Sequence, residues 1–144
     1  MIILDTNVVS ELWRSIPESK VLDWVDEQLM ETLFLSSITV AELRYGIETL
    51  PKGKRRSFFH EALENKLLPN FAGRILPFDL NASKAYAALM GRAKAKGKAI
   101  GKEDGYIAAI AAAHDFMVAT RDVSPFQNAG IKTINPWEPL ENRS

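Results

Sequence analysis

Four carboxylates, Asp5, Glu42, Asp104 and Asp122, are the side chains of this sequence best suited to chemistry. Each ends an apolar run or opens a stretch with helical spacing. Carboxylates gathered at one place repel and raise each other's pKa values, so a cluster of ionised acids persists around a cation. Oxygen-only ligation selects Mg²⁺ or Mn²⁺. Such an ion keeps several waters, one of which can attack a phosphodiester. Composition removes the competing chemistries. There is no cysteine, hence no disulfide, thiolate nucleophile or Cys-held zinc. The two histidines, His60 and His114, lack HxH or HxxxH partners, which leaves little for imidazole ligation or a His-centred triad.

Each acid also has a structural role open to it. Asp5 could cap a helix beginning near Asn7, and Glu42 could close a capping box opened by Thr39. Asp104 could answer a helix dipole, and Asp122 could form a turn before Ser124 and Pro125. Asp79 is read as a helix cap. Glu103, next to Asp104, faces elsewhere on a helix and is a second-rank candidate.

The elements that must position these acids follow from periodicity. Apolar runs at residues 1–4, 33–35, 75–78, 116–119 and 132–134 have strand length. Between them lie helical patterns: a capping box at Ser15 to Glu18 before Val21, Trp24, Val25 and Leu29; a second at Thr39 to Glu42 before Leu43 and Ile47; Phe58, Phe59, Ala62 and Leu63 before Pro69; a helix opened by Asn81 and ended near Gly97; and an alanine-rich helix from Asp104 to Ala113. Alternation of this kind predicts an α/β fold with a mostly parallel sheet flanked by helices. Ligands of such sheets bind beyond the carboxyl ends of the strands. The four acids converge there if the first, second and fourth strands are neighbours.

A length of 144 residues fits one domain over residues 1–144, and 47% hydrophobic with 25% charged residues is the balance of a globular chain. No apolar run approaches the roughly 20 residues that span a bilayer. The N-terminus lacks a basic n-region and meets Asp5 early, so the expected compartment is the cytoplasm, with no membrane contact. Net charge is zero, so any polyanion must be gripped locally. Two basic tracts are available: Lys52, Lys54, Arg55 and Arg56, read as a solvated connection, and Lys94, Lys96, Lys98 and Lys102, which leads into Asp104 and is better placed for phosphates. Arg121 either contacts substrate or pairs with a carboxylate. Trp13, Trp24, Tyr45 and Phe59 are read as core first and interface second.

The motifs themselves resemble the PIN-domain nucleases, specifically the VapC and FitB-type toxins of toxin–antitoxin pairs. The likeness rests on Ile3-Leu4-Asp5-Thr6-Asn7-Val8 with Ser10-Glu11-Leu12, on Val40-Ala41-Glu42-Leu43 with Gly46, on Asp104-Gly105-Tyr106-Ile107-Ala108-Ala109, and on Ala119-Thr120-Arg121-Asp122 with Phe126. The ending Ile134-Asn135-Pro136-Trp137-Glu138 is similar too. Singly these motifs are weak; in this order they are specific. The resemblance implies a five-stranded parallel sheet and RNA cleavage dependent on Mg²⁺ or Mn²⁺. It also implies a catalytic set of Asp5, Glu42, Asp104 and Asp122, with metal held by Asp5, Asp104 and Asp122. Thr6 or Ser10, with Asn7, would support them near the metal. Lys102 and Glu103 depart from the small or apolar residues the resemblance calls for before Asp104; these two and Arg121 are read from the sequence itself as rim or RNA-contact candidates. An RNA substrate, a cognate antitoxin and a homodimer are the implied partners. Two other readings compete. An aspartyl-phosphate enzyme would want a second acid where Asn7 stands. A catalytically silent nucleic-acid or partner-binding protein would use the acids as caps.

Overall fold

A computed structural model describes residues 1–139; the last five positions of the expected 1–144 domain lie outside the described residues. Five parallel strands, β1 (Ile2–Leu4), β2 (Leu33–Ser36), β3 (Ile75–Leu76), β4 (Met117–Ala119) and β5 (Thr133–Ile134), form one sheet in the order β3-β2-β1-β4-β5. The first strand is therefore central, flanked by β2 and β4, as convergence of the acids requires. Ile3 registers with Phe34 on one side and Val118 on the other. The chain leaves β1 toward β2 and β3, then returns to add β4 and β5, so the sheet reverses direction of growth at β1. In open parallel sheets ligands sit at such a reversal.

The strands are short and apolar because both faces of the sheet are covered. Successive side chains point to opposite faces, and the core divides accordingly. Leu4, Leu33, Leu35 and Ala119 pack with Val8, Val9, Trp24, Leu43 and Ile47. Ile3 and Val118 pack with Leu89, Ile107, Ile110 and Phe126. The first face is closed by helices α1 (Thr6–Leu12), α2 (Ser19–Glu27) and α3 (Ser37–Glu48), and by α4 (Lys54–Ala62), which continues through a π-helical turn (Leu63–Leu67) into α5 (Leu68–Asn70). The second is closed by α6 (Leu80–Ala95), α7 (Lys102–His114) and α8 (Ser124–Asn128). Among the described residues, no helix is long and apolar enough to cross a membrane.

Several boundaries differ from the sequence reading. The run at 75–78 pairs only over Ile75–Leu76, since Pro77 has no N–H to continue the ladder. Ser15 and Glu18 form no capping box: α2 starts at Ser19, Glu18 makes no side-chain cap bond, and its backbone N–H instead donates to Glu11 Oε2 at 3.0 Å. Thr39 is not the cap of α3 either. Ser36 is, its hydroxyl accepting from the Thr39 N–H at 3.0 Å, so the helix begins earlier and Glu42 sits in its second turn. The segment through Pro69 stays helical. Asp79, read as a cap, accepts from Ala82 N–H at 2.9 Å and starts α6 one residue before Asn81 was expected to open it. Of the four aromatics read as core, Trp24 is buried and Trp13 and Phe59 are partly buried against the same core cluster, whereas Tyr45 is 73% exposed.

Candidate active site

The site is built where four chain segments end or begin at the carboxyl edge of the sheet. Asp5 follows β1 directly. It is the N-cap of α1, its Oδ1 accepting from the Thr6 N–H at 2.8 Å. The capping role and a site role are compatible, because a cap occupies one oxygen. The other, Oδ2, accepts from the Thr120 hydroxyl at 2.8 Å and from Asn7 Nδ2 at 3.4 Å. Asp5 is only 6% exposed, and burial pushes its pKa up, against the two hydrogen bonds from Thr120 and Thr6; the charge of Asp122 pushes the same way as burial.

Glu42 comes in from α3. Its Oε1 accepts from the Thr6 hydroxyl at 2.7 Å, and Thr6 also shares a 3.0 Å hydrogen bond with the buried Thr39 hydroxyl. Thr39 and Glu42 lie three residues apart on one face of the helix, so α1 and α3 are stitched together at the site by one threonine. Partial desolvation raises the Glu42 pKa, opposed by the Thr6 bond and helped by the charges of Asp5 and Glu103. More than a third of the residue meets solvent, which screens that push.

Asp104 lies in the first turn of α7. A helix N-terminus favours a carboxylate, yet the pKa of Asp104 is raised to about 6. Burial is the first cause, followed by the charges of Asp5, Asp122, Glu42 and Glu103. All four expected acids are thus electrostatically coupled at one place, with Glu103 as a fifth at the rim. Asp122 follows β4 across an exposed turn held by its own N–H, which donates to Thr120 Oγ1 at 3.1 Å.

An all-oxygen donor set suits a hard divalent cation. Among the described residues no group of three or more Asp, Glu, His or Cys side chains stands so that it could hold a metal ion between them. Magnesium-like ions need no such group: they keep most of their waters and take one or two carboxylates. The pKa of Asp104 is raised first by burial and then by the charges of the neighbouring acids, a crowding that a bound cation would relieve. The residues present therefore fit such an ion.

Comparison with known proteins sets this geometry in a family. The PIN domain pattern matches residues 2–132. The chain belongs to the PIN domain family. Over 96% of its length it is 63% identical to VapC ribonuclease Y4jK of Sinorhizobium fredii, covering 99% of that protein. Toxin FitB of Neisseria gonorrhoeae is 50% identical over 95% of this chain and 99% of its own. The crystal structure of FitAcB from Neisseria gonorrhoeae superposes with a TM-score of 0.94 at 49% identity, over 96% of this chain and all of that one. The resemblance to PIN-domain nucleases, and to VapC and FitB-type toxins in particular, is borne out, as is the five-stranded parallel fold.

In this PIN domain the supporting residues fall unevenly. Thr6 and Asn7 touch the acids directly. Asn7 Nδ2 also donates to Thr120 Oγ1 at 3.2 Å, and its Oδ1 accepts from the Arg121 N–H at 3.4 Å. Ser10 is exposed one turn further along α1; among the described residues no hydrogen bond ties it to a carboxylate. Lys102 and Glu103 are exposed in the first turn of α7. The Arg121 guanidinium stacks over Trp137 at 5.4 Å, and among the described residues no ion pair to an acid is seen for it. Trp137 in turn donates a hydrogen bond to the buried Glu11, whose pKa is lowered chiefly by the Glu18 N–H and then by Arg14. The chain's ending so braces the Arg121–Asp122 turn against α1.

Sequence reasoning missed Thr120 and Thr39. Thr120, fully buried, donates to Asp5 and accepts from Asn7 and from Asp122 N–H, so it joins β1, α1 and the Asp122 turn. Its signal was a polar residue closing an otherwise apolar strand.

Proposed function

We propose that this PIN domain is a metal-dependent endoribonuclease and the toxin of a toxin–antitoxin pair. The observation that carries the reading is the gathering of Asp5, Glu42, Asp104 and Asp122, whose charges add to burial in lifting Asp104 to about 6. Asp5, Asp104 and Asp122 would hold Mg²⁺ or Mn²⁺, which when bound screens phosphate charge and acidifies a water. Thr120 and Asn7 fix the Asp5 carboxylate, and the Thr6 hydroxyl fixes Glu42 Oε1. The second oxygen of Glu42 would accept a proton from the attacking water, whose oxygen would form the new P–O bond while the ester P–O bond breaks and the leaving ribose oxygen takes a proton from solvent. A pKa raised above the ordinary glutamate value, chiefly by desolvation, makes Glu42 a stronger proton acceptor.

RNA as substrate is supported by the ribonuclease named at 63% identity, and an antitoxin partner by the toxin named at 50%. A homodimer, a single domain over 1–144 and a cytoplasmic location belong to the same proposal. The test is cleavage of single-stranded RNA by purified protein with Mg²⁺ or Mn²⁺, with Asp5→Asn and Asp104→Asn purified identically. Loss of about a hundred- to a thousandfold in both variants is expected, from the size of electrostatic contributions to catalysis, and a chelator should abolish cleavage. Full activity in either variant overturns the assignment. The silent-binder reading would be favoured by calorimetry that detects no Mn²⁺ binding.

A further inference from the structure

A groove of about 1060 Å³ opens beside the carboxylates. Thr6, Ser10 and Glu42 line one end, and it runs to Trp13, Phe58 and Phe59 between α1, α3 and α4. Its character is aromatic and cationic. Phe58 is 64% exposed, and its ring meets Phe59 edge-on at 5.4 Å, while Phe59 lies against Trp13 at 5.9 Å. An exposed ring continuous with Phe59 and Trp13, rather than standing alone, forms the kind of contiguous apolar patch that marks a contact surface. Arg55 stands over the Phe59 ring at 5.6 Å, and Lys66 completes the wall. Among the described residues neither Arg55 nor Lys66 is ion-paired, whereas the adjacent Arg56 and Arg44 are held by Glu48 at 2.8 Å and Glu64 at 2.9 Å. Two cations are thus left for a ligand in a groove whose only lining acid is Glu42.

The lysine tract expected to grip phosphates is split: Lys102 shares the first turn of α7 with Asp104. Lys94 and Lys98 border a separate hollow of about 360 Å³ with Met90 and Ile100, and none of the four acids lines it.

We propose that the groove seats the single-stranded RNA flanking the scissile phosphate, with a base stacked on Phe58 and backbone phosphates held by Arg55 and Lys66. This rests on the ribonuclease reading above. Exposed aromatics beside a cationic wall form a stacking platform that is tolerant of base identity, and single strands are the form of RNA whose bases are free to stack. Continuity with Glu42 places the strand's next phosphate at the carboxylates.

The experiment measures cleavage of oligoribonucleotides of increasing length by wild type, Phe58→Ala, Phe58→Trp and Arg55→Ser in Mn²⁺. The expected result is a KM for long substrates raised roughly five- to a hundredfold in Phe58→Ala, the worth of one base stack. Its kcat should stay within about twofold, on the reading that only uniform binding is lost. Phe58→Trp restores KM, a dinucleotide shows no difference, and an abasic site at the stacked position erases the effect. Arg55→Ser lowers the salt dependence of KM by about one phosphate contact. Because Phe58 is largely exposed, its loss leaves the core intact, which thermal unfolding checks. A wild-type KM in both Phe58→Ala and Arg55→Ser on long RNA overturns the proposal and leaves the groove to an apolar segment of a protein partner. Failure of the wild type to cleave any RNA overturns the ribonuclease reading itself.

Discussion

Thr120 shows how a site can depend on a residue that has no chemistry of its own. Its hydroxyl spends its single proton on Asp5 Oδ2 and receives the Asn7 amide and the Asp122 N–H on its lone pairs. Substitution by Val keeps the shape and removes all three bonds. A buried carboxylate oxygen stripped of its donor costs about 1–3 kcal/mol, and loss of a group orienting a metal ligand typically costs about ten- to a hundredfold in affinity or activity. Thr120→Val is therefore expected to lower Mn²⁺ affinity, measured by calorimetry, and RNA cleavage by that factor, with Thr120→Ser close to wild type. Equal Mn²⁺ affinity in Val and wild type would refute this role. The acids were legible in the sequence because each stands where a strand ends or a helix starts, and carboxylates are the only abundant reactive groups available. Thr120 and Thr39 were not, since a hydroxyl's role depends on which distant segment it faces: Asp5 lies 115 positions from Thr120.

Elements are where local signals competed and one had to win. Thr39 and Ser36 both have hydroxyls suited to capping α3; the helix starts at Ser37 with Ser36 as its cap, leaving the Thr39 hydroxyl for Thr6. Spacing alone could not choose between them, because both leave the same apolar face inward. Helix α7 is positioned by a different device. A Cβ on Gly105 would stand 2.9 Å from Met90 Sδ and 3.1 Å from Tyr86 Cε2. The flexible thioether can yield, but the Tyr86 ring is wedged between Tyr106 at 5.0 Å and Phe78 at 5.9 Å. Ala in place of a helical Gly gains about 1 kcal/mol of propensity, while overpacking costs about 1–3 kcal/mol, so the clash prevails. Gly105→Ala is expected to lose about 1–2 kcal/mol of stability and to lower RNA cleavage, since Asp104 is its neighbour. Gly91→Ala on α6, where nothing lies within 4 Å, should instead gain about 0.5–1 kcal/mol. Urea unfolding of the two variants side by side distinguishes packing from propensity; a gain in both would show that α6 and α7 are not packed this closely.

At the scale of the whole molecule the strand–helix alternation made the parallel sheet legible. Strand order was not, because the return from β3 past β2 and β1 to β4 is written in no local motif; it follows from which faces the helices cover. That order also divides the acids into two populations with opposite effects on stability. Glu11 and Glu64 have lowered pKa values, Glu11 chiefly through the Glu18 N–H and Glu64 through Arg44. Their stabilisation is present above the unfolded value of 4.5 and is lost as pH falls below it. Asp104, with Asp5 and Glu42, has a raised pKa, so the folded state binds protons more tightly than the unfolded chain. The stability this group contributes is complete below its unfolded value of 3.8 and is lost as pH rises through about 6. The two trends oppose each other between 3.8 and 4.5, and from 4.5 to about 6 only the loss that belongs to Asp104 continues. Metal-free protein is therefore expected to unfold at its highest temperature at or below about pH 4.5 and to lose stability toward neutral pH. Millimolar Mn²⁺ should remove that neutral-pH loss, because a cation among the acids favours their ionised forms. Asp104→Asn should remove much of the loss without any metal, while leaving the fall on the acid side, which belongs to Glu11 and Glu64, unchanged. A melting profile of metal-free wild type that keeps rising from pH 5 to pH 8, parallel to that of Asp104→Asn, would mean that the four acids are not crowded enough to need a cation.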